Sequence, residues 1–265
     1  MLDYEIEYNN RQRVPEHVEI TARWQTASAA YRASARGDLD QTYGPGERQR
    51  YDLFLAGKAD APLVVYIHGG YWQRNAKEFF ACLAEGPMAR GFDAALVGYT
   101  LAPEATLTEI VGEVRMAIRW LRANGSRYGV AGAKLIVSGW SAGGHLTAMA
   151  LAEADAGLAI SGIFDIEPCR LNYLNDALRM TMEEQLLLSP IRQLPSSSPP
   201  LVIAYGIAEL PELQRQSRDY HDARRNAHLP SELLPLDKHD HFSILEEMAN
   251  SNGKLTEALV RLAAG

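Results

Sequence analysis

Ser141 sits between two glycines in Gly139-Trp140-Ser141-Ala142-Gly143, directly after Lys134 to Ser138, a run whose apolar residues predict a buried strand. A serine on so sharp a strand-to-helix turn has a strained backbone and an exposed hydroxyl. The positions two residues away on either side must lack side chains for the turn to close. Small residues continue at Gly143, Gly144, Ala148 and Ala150, as expected of a helix packed closely on a sheet. The chemistry on offer is attack by an activated hydroxyl on an acyl carbon, through a covalent ester.

Such a hydroxyl needs a base, drawn from a late loop if the chain order is nucleophile, acid, histidine. Among seven histidines, His241 follows the last predicted strand, in His239-Asp240-His241-Phe242, and is the candidate base. His239 reads as a solvated loop residue and His145, one helical turn after Ser141, as a group packing or hydrogen-bonding beneath the turn. His17, His221 and His228 read as surface positions. The His-Asp-His cluster has no third strong ligand near it in sequence, so no metal is expected, and no other cofactor. Three carboxylates compete for the acid. Glu209 follows the predicted strand Leu201 to Tyr205 and is preferred; Asp165, after the preceding strand, is the alternative. Glu212 suits the first turn of a helix that Pro211 opens and that runs to about Asn226. The acid would fix the imidazole tautomer and stabilise the imidazolium.

His68-Gly69-Gly70-Tyr71-Trp72 follows the predicted strand Leu63 to Ile67. Glycines there leave backbone N–H groups free to point at a developing negative charge. The donors of Gly70 and Tyr71, with that of Ala142, form the candidate oxyanion hole, each worth roughly 3 kcal/mol of barrier. His68, at the strand end, braces this loop rather than moving protons. Trp72 has two readings: an aromatic wall for the substrate, or a structural plug.

The elements that must carry these groups alternate β-rich runs with helix-period segments, the pattern of a mostly parallel sheet covered by helices on both faces. Strands are predicted at 51–55, 63–67, 93–98, 134–138, 157–162, 201–205 and 232–236. Leu107, Ile110, Val111, Val114, Ile118 and Leu121 recur at helical spacing, with Thr106 and Glu109 as a capping box and Asn124-Gly125 as the stop. The Leu- and Met-rich stretch 166–200, closed by Ser196-Ser197-Ser198-Pro199-Pro200, reads as a lid-like insertion. Residues 1–45 carry no clear strand and read as a mostly helical arm that can also border the pocket.

With 265 residues, 47% of them hydrophobic, the chain can bury one substantial core, and a single domain is expected. A formal net charge of −7 opposes nucleic acid and anionic membrane surfaces. Met1-Leu2-Asp3-Tyr4-Glu5 lacks the basic-then-apolar layout of a secretory signal, and no apolar run approaches the ~20 residues that span a bilayer. A cytoplasmic protein acting on a small molecule is the expectation. The two cysteines, Cys82 and Cys169, read as buried small hydrophobes. An apolar face on the arm or the insertion would serve equally as a homodimer contact.

These residues resemble the serine-type arylformamidase, or kynurenine formamidase, branch of the α/β-hydrolase fold, near the hormone-sensitive-lipase-like esterases. The resemblance rests on Tyr8-Asn9-Asn10, His68-Gly69-Gly70-Tyr71-Trp72, Gly139 to Leu146, Ser161-Gly162-Ile163-Phe164-Asp165, Arg215-Gln216-Ser217-Arg218 and Asp240-His241-Phe242, and so spans nearly the whole chain. It implies Ser141 as nucleophile, His241 as base and Glu209 as acid. The family's acid is usually aspartate, so the glutamate departs from its pattern. The implied reaction is hydrolysis of an N-formyl arylamine through an acyl-enzyme. The alternatives are a general small-molecule carboxylesterase or carbamate hydrolase and, with His241 retained, less readily a non-catalytic ligand-binding relative.

Overall fold

The computed structural model describes residues 3–128 and 132–265, so the opening Met1-Leu2 lies outside the described residues. Among the described residues eight strands form one sheet: β1 (Gly37–Thr42), β2 (Arg50–Phe54), β3 (Leu63–Ile67), β4 (Asp93–Val97), β5 (Leu135–Trp140), β6 (Ala156–Ile160), β7 (Leu201–Gly206) and β8 (Ser231–Leu236). Their order is β1-β2-β4-β3-β5-β6-β7-β8. Strands β3 to β8 are parallel, while β2 runs antiparallel to both β4 and β1. Every residue of β3, β4, β5 and β6 is buried, because helices cover both faces and leave no place for polar alternation.

Side chains alternate between two cores. Leu63, Val65 and Ile67 point into one with Leu135 and Val137, while Val64 and Tyr66 point into the other with Ile136 and Trp140. Each fully buried aliphatic side chain contributes about 1.5–3 kcal/mol relative to exposure. Helix Leu107–Asn124 starts at the expected capping box: Thr106 Oγ1 accepts from Glu109 N at 3.2 Å, and the Glu109 carboxylate accepts from Thr106 N at 2.8 Å. It leaves through a 3-10 turn, Gly125–Tyr128, with Gly125 at φ −56° rather than in a left-handed cap. This is the α/β-hydrolase arrangement, with the Ser141 turn at the C-terminal end of central β5.

The arm contains helices Tyr4–Glu7, Asn10–Arg13 and His17–Ser34 and then, where no strand was expected, β1. Gly37-Asp38-Leu39-Asp40-Gln41-Thr42 lacks the apolar alternation of a strand because it is a polar sheet edge, with register set by its pairing to β2. Helix His17–Ser34 is tied down by Arg32 Nε on the fully buried Asp52 at 2.8 Å and by Ser28 Oγ, which accepts from Cys82 N at 3.1 Å. The insertion folds into short helices Glu167–Arg170, Asn175–Leu178 and Met182–Leu187. It is joined to the arm by Asn172 Nδ2 on Tyr4 O (3.2 Å) and by Tyr173 N on the Glu5 carboxylate (3.1 Å).

Candidate active site

Strand β5 delivers Ser141 at φ 58°, ψ −119°, the position from which helix Ala142–Ala150 departs. The turn is held by Ser141 N on Ile160 O at 2.8 Å and closes only because Gly143 has no side chain: a Cβ there would stand 2.0 Å from Ile67 O. A serine in the left-handed region costs of order 1 kcal/mol, so the surrounding sheet must impose the conformation.

Glu209 lies beyond β7 and His241 beyond β8. Both are buried, and Glu209 Oε2 meets His241 Nδ1 at 3.0 Å. The other carboxylate oxygen accepts from Ser161 Oγ and from Gly206 N, each at 2.6 Å. With Nδ1 engaged, Nε2 is the ring nitrogen left for the cavity that His241 and Ser141 both line. Trp140, the residue before Ser141, donates its indole N–H to His241 O at 2.7 Å and lies against the imidazole, centroids 4.9 Å apart. The acid alternatives stand elsewhere. Asp165 pairs with Arg192 at 3.0 Å; Glu212 accepts from Tyr8 OH at 3.3 Å and pairs with Arg215 at 2.5 Å. His239 contacts Glu247 at 3.2 Å, and Asp240 caps the turn by accepting from Phe242 N and Ser243 N. Among the described residues no group of His, Cys, Asp and Glu is arranged to hold a metal ion.

The loop after β3 turns through Gly70 (φ 122°), Tyr71 (φ 51°) and Trp72 (φ 59°). Among the described residues the amide N–H groups of Gly70, Tyr71 and Ala142 hydrogen-bond no other part of the protein, and Gly70 and Tyr71 line the cavity. Two left-handed aromatic residues in succession need anchors. Tyr71 OH donates to Tyr8 O at 2.6 Å and accepts from Asn10 Nδ2 at 3.0 Å. Trp72 O accepts from Ala102 N at 2.8 Å. His68 stacks on Tyr99 with centroids 4.3 Å apart, its Nδ1 2.9 Å from Gly69 O; burial pushes its pKa down to about 4, keeping it neutral.

Trp72 does not serve as a wall of the cavity. It is fully buried, with its indole N–H on His145 Nδ1 at 3.2 Å, and His145 Nε2 in turn lies 2.8 Å from Leu188 O. The left-handed turn sets the indole edge-on against His145 of helix Ala142–Ala150, away from the cavity lining. Two surface assignments also change. His17 borders the cavity with its ring 5.5 Å from Phe242, and His221 is largely buried with Nδ1 3.0 Å from Ser231 Oγ.

The cavity measures about 300 Å³, the lower end of the range for small-molecule sites. The arm supplies much of its wall through Tyr8, Asn10, His17 and Trp24, and the insertion supplies Tyr173. The sequence reading allowed the arm to border the pocket, but no residue pattern in it singled out His17 or Trp24 as part of the wall.

A family profile described as BD-FAE matches residues 52–164. The chain is 32% identical to a kynurenine formamidase of Danio rerio over 241 residues, covering 84% of this chain and 81% of that protein. It is likewise 32% identical to a kynurenine formamidase of Salmo salar, over 87% of this chain and 83% of the relative. A solved structure from Silicibacter sp. TM1040 superposes with a TM-score of 0.88 at 24% identity, covering 100% of both chains. An esterase of Thermogutta terrifontis gives 0.71 at 21% identity, covering 87% of this chain and 93% of its own. The two structural likenesses concern the fold.

Proposed function

The chain belongs to the kynurenine formamidase family of the α/β-hydrolase fold, and from that premise we propose that it hydrolyses an N-formyl arylamine through a formyl ester on Ser141. His241 Nε2 takes the Ser141 proton as the oxygen attacks the formyl carbon, and the N–H groups of Gly70, Tyr71 and Ala142 receive the oxyanion. Glu209 holds the imidazole by Nδ1 and stabilises its protonated form. The proton then passes from Nε2 to the leaving arylamine nitrogen. Water, activated by the same nitrogen, releases formate and restores Ser141. The observation that carries this reading is the 3.0 Å contact between Glu209 Oε2 and His241 Nδ1, made behind a cavity of about 300 Å³ that His241 and Ser141 both line. A formyl carbon bears only hydrogen, so the buried Ser141 needs little acyl room and the cavity serves the arylamine. Cys82 and Cys169, both free and buried, support a cytoplasmic enzyme. Among the described residues no helix is long and apolar enough to cross a membrane.

The esterases among the structural neighbours motivate the second reading, a carboxylesterase with the same three residues. Parallel assays with N-formylkynurenine and a short-chain aryl ester separate the two. Formamide turnover is expected, with a Ser141→Ala loss of at least ~10⁴-fold. Turnover of the ester alone would transfer the assignment to esterase, and full activity in Ser141→Ala would remove the covalent route.

A further inference from the structure

A second pocket, of about 270 Å³, lies between the insertion, the far end of helix Ala142–Ala150 and the last turns of helix Pro211–Asn226. It shares no lining residue with the cavity of Ser141 and His241. Arg115 and Arg224 both line it, and no Asp or Glu does among the described residues. Arg224 is only 1% exposed, yet its Nη2 donates to neutral oxygens: Ser198 Oγ at 3.1 Å, Pro199 O at 3.1 Å and Pro230 O at 2.9 Å. Its Nε is enclosed and has no hydrogen-bond partner among the described residues. Arg115 Nε and Nη2 both donate to Met149 O, at 2.9 and 2.5 Å. A guanidinium taken out of water without a carboxylate loses its solvation and gains no full charge in return. Two helix C-termini supply part of the compensation. Met149 and Arg224 each lie in a last turn, and each such end carries roughly half a negative elementary charge. About one positive charge of the pair is left over. Much of the remaining wall is apolar, including Leu151, Pro190, Tyr220 and the exposed side chain of Leu187.

We propose that this pocket is a second ligand site, for a small apolar monocarboxylate whose charged end is held by Arg224 and Arg115 and whose body lies against Leu187, Pro190 and Tyr220. A carboxylate matches the leftover charge in sign and size, and it accepts from Nε, the nitrogen left without a partner. The site stands apart from the chemistry at Ser141, so its test needs no turnover. Benzoate is the probe, with benzamide as the control that lacks the charge and acetate as the control that lacks the ring. The readout is the Arg224 Nε–H resonance in the isotope-labelled full chain, assigned through the side-chain carbons of Arg224. Benzoate should shift that resonance saturably, with a Kd roughly tenfold or more below those of benzamide and acetate. Arg115→Gln should raise the benzoate Kd roughly tenfold, and Arg115→Lys should recover part of the loss. An Nε resonance that ignores benzoate, or that responds as strongly to benzamide or acetate, overturns the proposal. So does a benzoate Kd that Arg115→Gln leaves unchanged, because the shift would then arise from binding elsewhere. If Arg115→Gln does not fold, Arg115→Lys decides: a weakened benzoate Kd supports the site, and a wild-type value refutes it.

Discussion

Ser161 donates its hydroxyl to Glu209 Oε1 at 2.6 Å, which leaves Oε2 to meet His241 Nδ1. Ser161 stands at φ 50° just past β6, its amide on Ala204 O at 2.7 Å, so its side chain is aimed by the sheet. Together with Gly206 N it fixes the rotation of the carboxylate. Ser161→Ala removes one of the two Oε1 donors and lets the acid loosen. A fall in kcat on the order of tenfold is expected with KM little changed, as befits a positioning residue. A raised KM at constant kcat would instead assign Ser161 to substrate contact.

Glu209→Gln should cost more, because an amide in that place favours the wrong imidazole tautomer and cannot stabilise the imidazolium. A drop in kcat of about 10³–10⁴ is expected with the circular dichroism spectrum retained. Glu209→Asp, one methylene shorter, cannot hold Ser161, Gly206 and His241 together and should fall between Gln and wild type. Asp165→Asn removes only a partly exposed pair with Arg192 and should stay within about threefold of wild type. The reverse ranking would move the acid to Asp165.

What the sequence discloses depends on how local the cause is. Leu63–Ile67 coincides with its predicted strand because a continuous apolar run needs burial on both faces, and Pro211 marks the start of its helix through chemistry confined to one residue. Glu209 and His241 were legible from their places after successive strands. β1 was not, because its polar residues become a strand only through pairing with Arg50–Phe54. The direction of Trp72 follows from three consecutive positive φ values, which no side-chain pattern announces. His17 joins the cavity through docking of its helix against residues 77–84 and Phe242, a long-range event.

Stability should depend on pH through His68 and His145, both fully enclosed with pKa values pushed down to about 4 from 6.5 by burial. Between those values the unfolded chain binds more protons than the folded one, so stability is full above pH 6.5 and declines as the pH falls towards 4. Each ring accounts for on the order of 3 kcal/mol across that window. Unfolding midpoints in denaturant measured from pH 7.5 to 4.5 should fall accordingly. His145→Gln should lower the plateau, since it unpairs the Trp72 indole, yet flatten the slope. An unaltered slope would mean that His145 is not a source of the acid sensitivity.

Gly69 and Gly112 give opposite expectations for one added methyl. At Gly69 a Cβ would stand 2.5 Å from Trp140 O and 3.0 Å from Ser141 Cβ. The first of these neighbours is backbone, so either the Gly70-Tyr71 loop or the Ser141 turn must move. Reacting geometry tolerates about 0.5 Å, and a 1 Å displacement costs roughly 10² in rate. Gly69→Ala should therefore lose about 100-fold or more in kcat/KM while keeping its secondary structure. At Gly112, inside helix Leu107–Asn124, a Cβ meets nothing within 4 Å. Gly112→Ala should raise stability by about 1 kcal/mol with activity intact. Wild-type activity in Gly69→Ala would show that the contact between the loop and the turn can relax without disturbing the donors, and would weaken the assignment of Gly70 and Tyr71 to the oxyanion.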